Sequence, residues 1–370
     1  MSQWRTQSIS SFCEKIYSGG TPNTKKAEYW GGNLKWLSSG ETRNKYIFDT
    51  EKRITELGAK ESSTRLAYSG DVVMASAGQG YTRGQVSMLK TDTFVNQSVI
   101  VFRTYSNELL SDYLYYNLSN RYDELRALSD SNSIRGSITT KLFNSMEISI
   151  PTLDIQKKIV DTLGSIDEKI ENNKKINHHL EQVAVSIFNE IFPNVNSGEH
   201  TIGEYITPKR GKGLLSKNAV AGSIPVIAGG LQPATYHNTA NTKAPVVTIS
   251  ASGANAGYVG LWNTSVWSSD SSFIDSVMTD NVYFWYIMLS KRQQEIYDMQ
   301  TGSAQPHIYP KHISIMPTIE LEQSLVDEYN SRVTPLFETI GANTLQNRKL
   351  EETRDSLLPK LMSGEISVTD

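Results

Sequence analysis

Two stretches of this chain carry an apolar stripe that steps alternately by four and three residues, the pattern of a helix that must lay one narrow face against another helix. In the first, Ile159, Leu163, Ile166, Ile170, Asn173, Asn177, Leu180, Ala184, Ile187 and Ile191 fall on the stripe. In the second, Tyr329, Val333, Leu336, Ile340, Asn343, Asn347, Leu350, Arg354, Leu357 and Leu361 do so. The first stretch predicts one helix from Leu153 to Ile191, roughly 58 Å long at 1.5 Å per residue. A helix with a single apolar stripe needs a partner, and the nearest matching stripe is the other arm of the same chain. Pro335 and Pro359 interrupt the second arm. A proline inside a helix costs about 3 kcal/mol, which predicts at least one break there. The seam asparagines are expected either to fix register at some cost in stability or to face water at a splayed point. Ile187 and Ile191 are expected to pack on Leu357 and Leu361.

The two arms belong to a longer correspondence. Pro151-Thr152-Leu153-Asp154-Ile155 and Ile159-Val160-Asp161 match Pro317-Thr318-Ile319-Glu320-Leu321 and Leu325-Val326-Asp327 at a constant offset of 166. Asn173, Asn177, Leu180, Glu181, Ile187 and Ile191 match Asn343, Asn347, Leu350, Glu351, Leu357 and Leu361 at an offset of 170. Upstream, Val72-Val73-Met74-Ala75-Ser76-Ala77 resembles Val246-Val247-Thr248-Ile249-Ser250-Ala251, and Tyr113-Leu114-Tyr115-Tyr116 resembles Tyr283-Phe284-Trp285-Tyr286. So long a period excludes a solenoid and implies a domain plus an arm, twice over. Two equivalent domains, each followed by an equivalent helix, can pack with a pseudo-two-fold only if the helices run antiparallel. Each globular part has short β-branched runs at 71–76 and 97–102, or 246–250 and 272–274, each pair followed by a helix at 108–128 or 282–299. The expected fold class is therefore α+β: two globular α+β domains at 1–150 and 193–316, separated by helical spacers at 151–192 and 317–370.

Charge follows the same alternation. Basic against acidic residues number 18 and 15 in 1–150, 5 and 7 in 151–192, 8 and 7 in 193–316, and 5 and 10 in 317–370. The overall charge of −3 hides this, and hides an acid-free tract at 205–269 that holds Lys209, Arg210, Lys212, Lys217 and Lys243. The chain has no apolar run near the ~20 residues that span a bilayer, and its first residues form no apolar signal core, so a soluble, cytoplasmic protein without membrane contact is expected. The single cysteine, Cys13, excludes an internal disulfide and a CxxC metal site, and is read as a small buried hydrophobe.

Catalytic patterns are sparse. Gly78-Gln79-Gly80-Tyr81-Thr82-Arg83-Gly84 approaches a dinucleotide fingerprint, but its third glycine comes one place late and no βαβ pattern surrounds it. There is no phosphate-binding lysine loop, nucleophile elbow or HExxH pair, nor the Asn-Pro-Pro-aromatic run of amino-methyltransferases. His178 and His179 are adjacent and cannot share a helix face, so no metal site is expected. Asp167-Glu168-Lys169 lies mid-arm and reads as a solvated helix face.

What remains is aromatic and basic residues among glycines and amides. In the first domain these are Lys35, Gln79, Tyr81 and Arg83; Trp30 and Trp36 read as core. In the second they are Lys209, Arg210, Lys212, Lys217, Gln232, Tyr236, His237, Lys243, Asn255 and Tyr258. Gln and Arg can make bidentate contacts to base edges and Lys can reach phosphate, so these are the candidate DNA-binding residues.

Through the tracts at 150–180, 302–308 and 354–364, the chain resembles the DNA-specificity subunits of type I restriction-modification systems along essentially its whole length. The resemblance is carried by Ile150-Pro151-Thr152-Leu153-Asp154-Ile155-Gln156-Lys157-Lys158-Ile159-Val160, then Leu163, Asp167-Glu168-Lys169-Ile170, Asn173, Lys174 and Leu180. Gly302-Ser303-Ala304-Gln305-Pro306-His307-Ile308 and Arg354-Asp355-Ser356-Leu357-Leu358-Pro359-Lys360-Leu361-Met362-Ser363-Gly364 carry it in the second half. The first half departs from the Gly-Ser-Ala-Gln-Pro pattern, with Ser131-Asn132-Ser133-Ile134-Arg135-Gly136-Ser137-Ile138 in its place.

The resemblance implies a non-catalytic reader of double-stranded DNA, with two target-recognition domains and two conserved helical spacers. It implies two methyltransferase (modification) subunits and restriction subunits as partners, in a complex that methylates adenine and cuts DNA with ATP in phage defence. S-adenosylmethionine, ATP and Mg are expected on those partners, and no cofactor on this chain. Residue patterning agrees: two basic modules on a stiff spacer suit a bipartite target with an unread gap. Adding four residues after Asn172 in the first arm should lengthen that gap. Two other classes compete: a cytoplasmic coiled-coil scaffold whose heads bind proteins, and a small-molecule enzyme using the glycine-rich loops.

Overall fold

A computed structural model describes residues 4–78, 80–132, 136–302 and 305–368. The chain divides into two compact units, Met1–Glu168 with Leu350–Asp370, and Lys169–Lys349.

In the first unit the strands are β1 (Arg5–Ser8), β2 (Cys13–Ser18), β3 (Trp30–Leu37), β4 (Tyr46–Ile47), β5 (Lys52–Ile54), β6 (Arg65–Ala67), β7 (Val72–Ala75), β8 (Val86–Leu89), β9 (Thr93–Val95), β10 (Val99–Thr104) and β11 (Glu147–Ile150). One sheet runs β2-β10-β7-β8-β4, a second runs β5-β3-β9-β6, and β1 pairs with β11. The helices are α1 (Glu56–Lys60), α2 (Ser111–Asn120) and α3 (Tyr122–Asn132). β7 and β8 are buried at every residue because the sheet is covered on both faces, which is why these strands read as unbroken apolar runs. Val72, Met74, Ile100 and Phe102 point to a core shared with Tyr113, Leu114, Ile159 and Leu163. Their neighbours Val73, Val99 and Val101 point the other way, to Leu37 and Val95. Cys13 is buried in the first of these cores and Trp36 is also buried, while Trp30 is half-buried with its ring edge-on to Trp36.

In the second unit the strands are β12 (His200–Thr201), β13 (Lys209–Arg210), β14 (Ile224–Ile227), β15 (Thr235–His237), β16 (Val246–Ser250), β17 (Val259–Trp262), β18 (Trp267–Ser268), β19 (Ser271–Asp275) and β20 (Pro317–Thr318). Sheet order is β13-β19-β16-β17, with β15-β14-β18 beside it and β12 paired with β20. The long helix of the first arm is α4 (Leu153–Ile191); then come α5 (Val282–Ser290), α6 (Gln293–Asp298), α7 (Pro310–Ser314) and the second arm α8 (Gln323–Ser363). α5 is apolar almost all round because it is enclosed between the sheet and the arms.

The single helices expected at 108–128 and 282–299 are each two helices. The breaks fall at Arg121 and at Lys291-Arg292, where the arginines turn aside to fasten other segments. Arg121 holds Glu124 and the Glu147 carbonyl, and Arg292 holds Glu295 and the Pro317 carbonyl. Gln156 of the Pro-Thr-Leu-Asp-Ile-Gln motif is fully buried, accepting from the Leu110 amide and donating to the Glu108 and Pro151 carbonyls. It thereby caps the start of α2 with a side chain from α4.

Both arms form, as unbroken helices of 39 and 41 residues. The break expected from proline is absent. Pro335 and Pro359 lie on the exposed face of α8, where water can meet the freed carbonyl one turn earlier while apolar neighbours hold the helix. Within the second unit the arms run antiparallel: Asn173 Nδ2 donates to Asn347 Oδ1 at 2.8 Å, Asn343 Nδ2 to Asn177 Oδ1 at 2.8 Å, and Tyr329 Oη to the Ala184 carbonyl at 3.1 Å. Asn173 is fully buried, so the asparagines do not face water at a splayed point; they bond each other across the seam, with Gln346 joining at 2.8 Å.

Seam phase puts Ile170 in a buried position and Leu180, Ile340 and Leu350 in half-buried ones. It slips by one residue further along. Phe188 and Phe192 hold the buried positions beside half-buried Ile187 and Ile191, and Phe337 does so beside Leu336. The larger rings fill the space under α5. Ile187 and Ile191 do not share a core with Leu357 and Leu361: the first pair packs with Phe188 and Tyr329, the second with Ile159 and Leu163, as antiparallel arms require.

Asp167 departs from expectation most. It is not on a solvated face but nine-tenths buried, accepting from Lys45 Nζ at 2.8 Å, Tyr116 Oη at 2.6 Å and Arg354 Nη1 at 3.1 Å. Burial raises its pKa, but the Lys45 and Arg354 charges with the Tyr116 hydroxyl outweigh that and hold the carboxyl below the usual carboxylate range.

Candidate nucleic-acid interface

In the first unit the loop between β7 and β8 projects Tyr81, the most exposed aromatic ring of the described residues at 82%. The loop is braced rather than loose. Tyr122 Oη donates to the Tyr81 carbonyl at 2.9 Å, and Arg126 Nη1 to the Gly80 carbonyl at 2.5 Å. Gly78 and Gly80 have φ of 144° and 61°, which side chains rarely adopt, and a Cβ on Gly78 would meet Thr82 at 2.9 Å. Arg83, expected to read bases, is buried. Its guanidinium donates to Asp130 Oδ1 at 2.5 Å and to the Gly136 carbonyl at 2.6 Å, tying the loop's far end to α3. Gln79 lies outside the described residues. Lys35 is engaged as a tether, donating to Thr91 Oγ1 at 2.7 Å and the Phe48 carbonyl at 3.1 Å, with Asp49 3.4 Å away.

The second unit has a matching arrangement at 252–257. Gln293 donates to the Gly257 carbonyl at 2.8 Å, Gln300 to the Ala256 carbonyl at 2.7 Å, and the Gly253 amide to the Pro306 carbonyl at 3.1 Å. Pro306 belongs to the Gly-Ser-Ala-Gln-Pro motif, of which Ser303 and Ala304 lie outside the described residues, as do residues 133–135 of the first half. Asn255 and Tyr258 are half-buried at this loop. Lys209, Arg210, Lys212, Lys217, Lys243 and Gln232 are exposed. Arg210 is ion-paired with Asp270 at 2.6 Å, and Asp270 also accepts from Ser252, so this arginine's charge is locally balanced. Tyr236 is exposed, with the Arg348 guanidinium 5.4 Å from its ring centre. His237 is not available to a ligand: it is buried edge-on to Trp267, and its Nδ1 accepts from the Val220 amide at 3.0 Å.

Among the described residues no group of three or more His, Cys, Asp and Glu could hold a metal ion, and no helix is long and apolar enough to cross a membrane. His178 and His179 are exposed on α4.

The family model for the type I restriction modification DNA specificity domain matches residues 1–182. The chain is 27% identical to the type I restriction enzyme MjaIX specificity subunit of Methanocaldococcus jannaschii, over 99% of this chain and 94% of that one. The chain belongs to the type I DNA-specificity subunits. It is also 21% identical to the HindI specificity subunit of Haemophilus influenzae, over 99% of this chain and all of that one. The crystal structure of a type I S subunit from M. genitalium has the same fold, at a TM-score of 0.63 and 18% identity over 97% of this chain and 96% of that one.

In this specificity subunit the supports of the two loops are what sequence reasoning missed. Tyr122, Arg126, Asp130 and Gln293 sit on ordinary-looking helices, Gln300 lies just past the end of α6, and no local pattern marks them. Their only signal is a surplus of hydrogen-bonding side chains along α3 and α6, facing glycine-rich segments remote in sequence.

Proposed function

We propose that this specificity subunit reads duplex DNA as two half-sites, one through each braced loop and its surroundings. Residues 1–150 and 193–316 act as target-recognition domains, and 151–192 and 317–370 as helical spacers, the two halves having arisen by duplication. The similar strand orders β2-β10-β7-β8 and β13-β19-β16-β17 support the duplication. The observation that carries the reading is the display of Tyr81. A large ring held in water by four side-chain tethers is preorganised for contact with a base or sugar edge, and preorganisation removes the cost of ordering a loop on binding. DNA-binding roles are proposed for Tyr81 and Gln79 in the first domain, with Lys35, tethered to Thr91, the Phe48 carbonyl and Asp49, as a support. In the second they are proposed for Lys209, Lys212, Lys217, Lys243, Gln232, Tyr236, Asn255 and Tyr258, with Arg210, Arg83 and His237 as supports.

The spacers dock two methyltransferase subunits, and restriction subunits complete the assembly. S-adenosylmethionine, ATP and Mg sit on those partners, and adenine methylation and ATP-dependent cleavage are theirs. The purified chain is accordingly expected to retard duplex DNA at low salt without transferring methyl groups or cutting. Methyl transfer by the pure chain would refute the division of labour, and absence of retardation would favour the protein-binding scaffold.

Salt dependence tests the second domain. Each phosphate contact contributes about 0.9 to the slope of log K against log salt, so Lys209→Ala with Lys212→Ala should flatten it by about two units. Arg210→Ala should add little, because Asp270 already balances that charge. An unchanged slope in the double variant would place the tract away from DNA.

A further inference from the structure

The buried charge cluster at Asp167 gathers four chain segments of the first unit. Lys45 comes from the segment before β4, Tyr116 from α2, Asp167 from α4 and Arg354 from α8. Lys45 is fixed at both ends. Its backbone carbonyl accepts from the Met88 amide of β8 at 2.7 Å, and its ammonium lies 4.5 Å from the Tyr116 ring centre and 5.4 Å from that of Tyr115. An unbroken path of directional bonds therefore runs from the recognition sheet to both arms. The carboxylate is fully engaged by three donors, and the Lys45 and Asp167 side chains are only 15% and 11% exposed.

The corresponding helix of the second unit, α5, meets the arms differently. Tyr283 lies flat on Phe337, with ring centres 4.7 Å apart and planes at 8°, and Tyr286 sits edge-on to the same ring at 5.8 Å. The polar contacts of α5 with the arms are single hydrogen bonds spread along the helix: Tyr286 Oη to Glu181 Oε1 at 2.6 Å, Asn281 Nδ2 to Asp327 Oδ1 at 2.9 Å, and Lys291 Nζ to Asn189 Oδ1. Stacked rings tolerate sliding, whereas a carboxylate shared by an ammonium, a guanidinium and a hydroxyl does not. Buried ion pairs add little stability over apolar packing of equal volume, and their best-attested use is to select one geometry.

We propose that Asp167, Lys45 and Arg354 are positioning residues that lock the first recognition domain at one angle on the helical arms, and so set the gap at which its half-site is read. This rests on the reading of two half-sites. The second domain is seated on the Phe337 ring instead.

The test uses the full chain reconstituted with its methyltransferase subunits, on duplexes whose gap is varied one base pair at a time. The triple variant Lys45→Met, Asp167→Leu, Arg354→Met strands no charge and is expected to fold. It should keep both half-site sequences and the thermal transition, while preference for the native gap over one a base pair different falls about tenfold. Tyr116→Phe, which removes one hydroxyl only, should loosen the preference in the same direction, and Lys45→Arg should keep it. A folded triple variant with native gap preference would overturn the proposal. If the triple variant does not fold, native preference in Tyr116→Phe and Lys45→Gln would overturn it instead. A wild-type complex that methylates one continuous site would refute the two-half-site reading, not the lock.

Discussion

Phe188→Asp is expected to unfold the second unit. The Phe188 ring is fully buried, with Phe192, Phe284 and Tyr329 around it at centre distances of 5.2, 5.6 and 5.5 Å, so arm, helix α5 and opposing arm all meet there. Removing such a ring costs about 3–5 kcal/mol, and an unpaired carboxylate in its place adds several more. The sum is comparable to the roughly 5–15 kcal/mol that holds a typical domain together. Ile187→Asp, one residue away and half-buried, should cost only about 1–2 kcal/mol. Circular dichroism melts of both variants decide the phase of the seam. A larger loss in Ile187→Asp than in Phe188→Asp would show that Ile187, not Phe188, faces the opposing arm.

Insertion of one heptad in each arm should yield a subunit that reads a longer gap. The division between the compact units falls at 168/169 in α4 and 349/350 in α8, so residues added after Asn172 and after Asn347 lengthen the connection close to that division in both helices. Four residues in the first arm alone would have no counterpart in the second, so the Asn173–Asn347 and Asp167–Arg354 pairs on either side of the insertion could not both keep register. Seven in each keep the stripe in phase and add roughly 10 Å, about three base pairs of duplex. Methylation mapping of the reconstituted complex should return the same two half-sites with the gap increased by that amount. The unchanged gap, or a single continuous site, would show that the arms do not act as a ruler.

The arms were legible because helical periodicity is a local signal, repeated over many turns. Their phase was less so: isoleucine and phenylalanine one residue apart are equally apolar on paper, and only the space beneath α5 selects the ring. The prolines misled because intrinsic cost was counted without the packing at Val333 and Phe337, which holds α8 through Pro335. The glycine-rich loops were found, but the division of labour within them was not. Arg83 and His237 look like ligand residues in a sequence, and only Asp130 and Trp267, distant along the chain, turn them into supports. Asp167 was invisible as a buried group for the same reason, since its three partners lie at 45, 116 and 354.

The division of the chain into units has a consequence for synthesis. The second unit is one contiguous stretch, 169–349, complete once that stretch has left the ribosome. The first is not: its core also takes in Leu357, Leu358, Leu361 and Met362, and its charge cluster takes in Arg354. The domain made first is thus finished last, after its neighbour has had all the residues it needs, reversing the usual order in which amino-terminal domains fold ahead of later ones. Until those residues emerge, Ile159 and Leu163 lack the cover of Leu361 and Met362, and Asp167 lacks one of its two cations. A chain released before residue 350 would therefore carry an intact second half and an open first one.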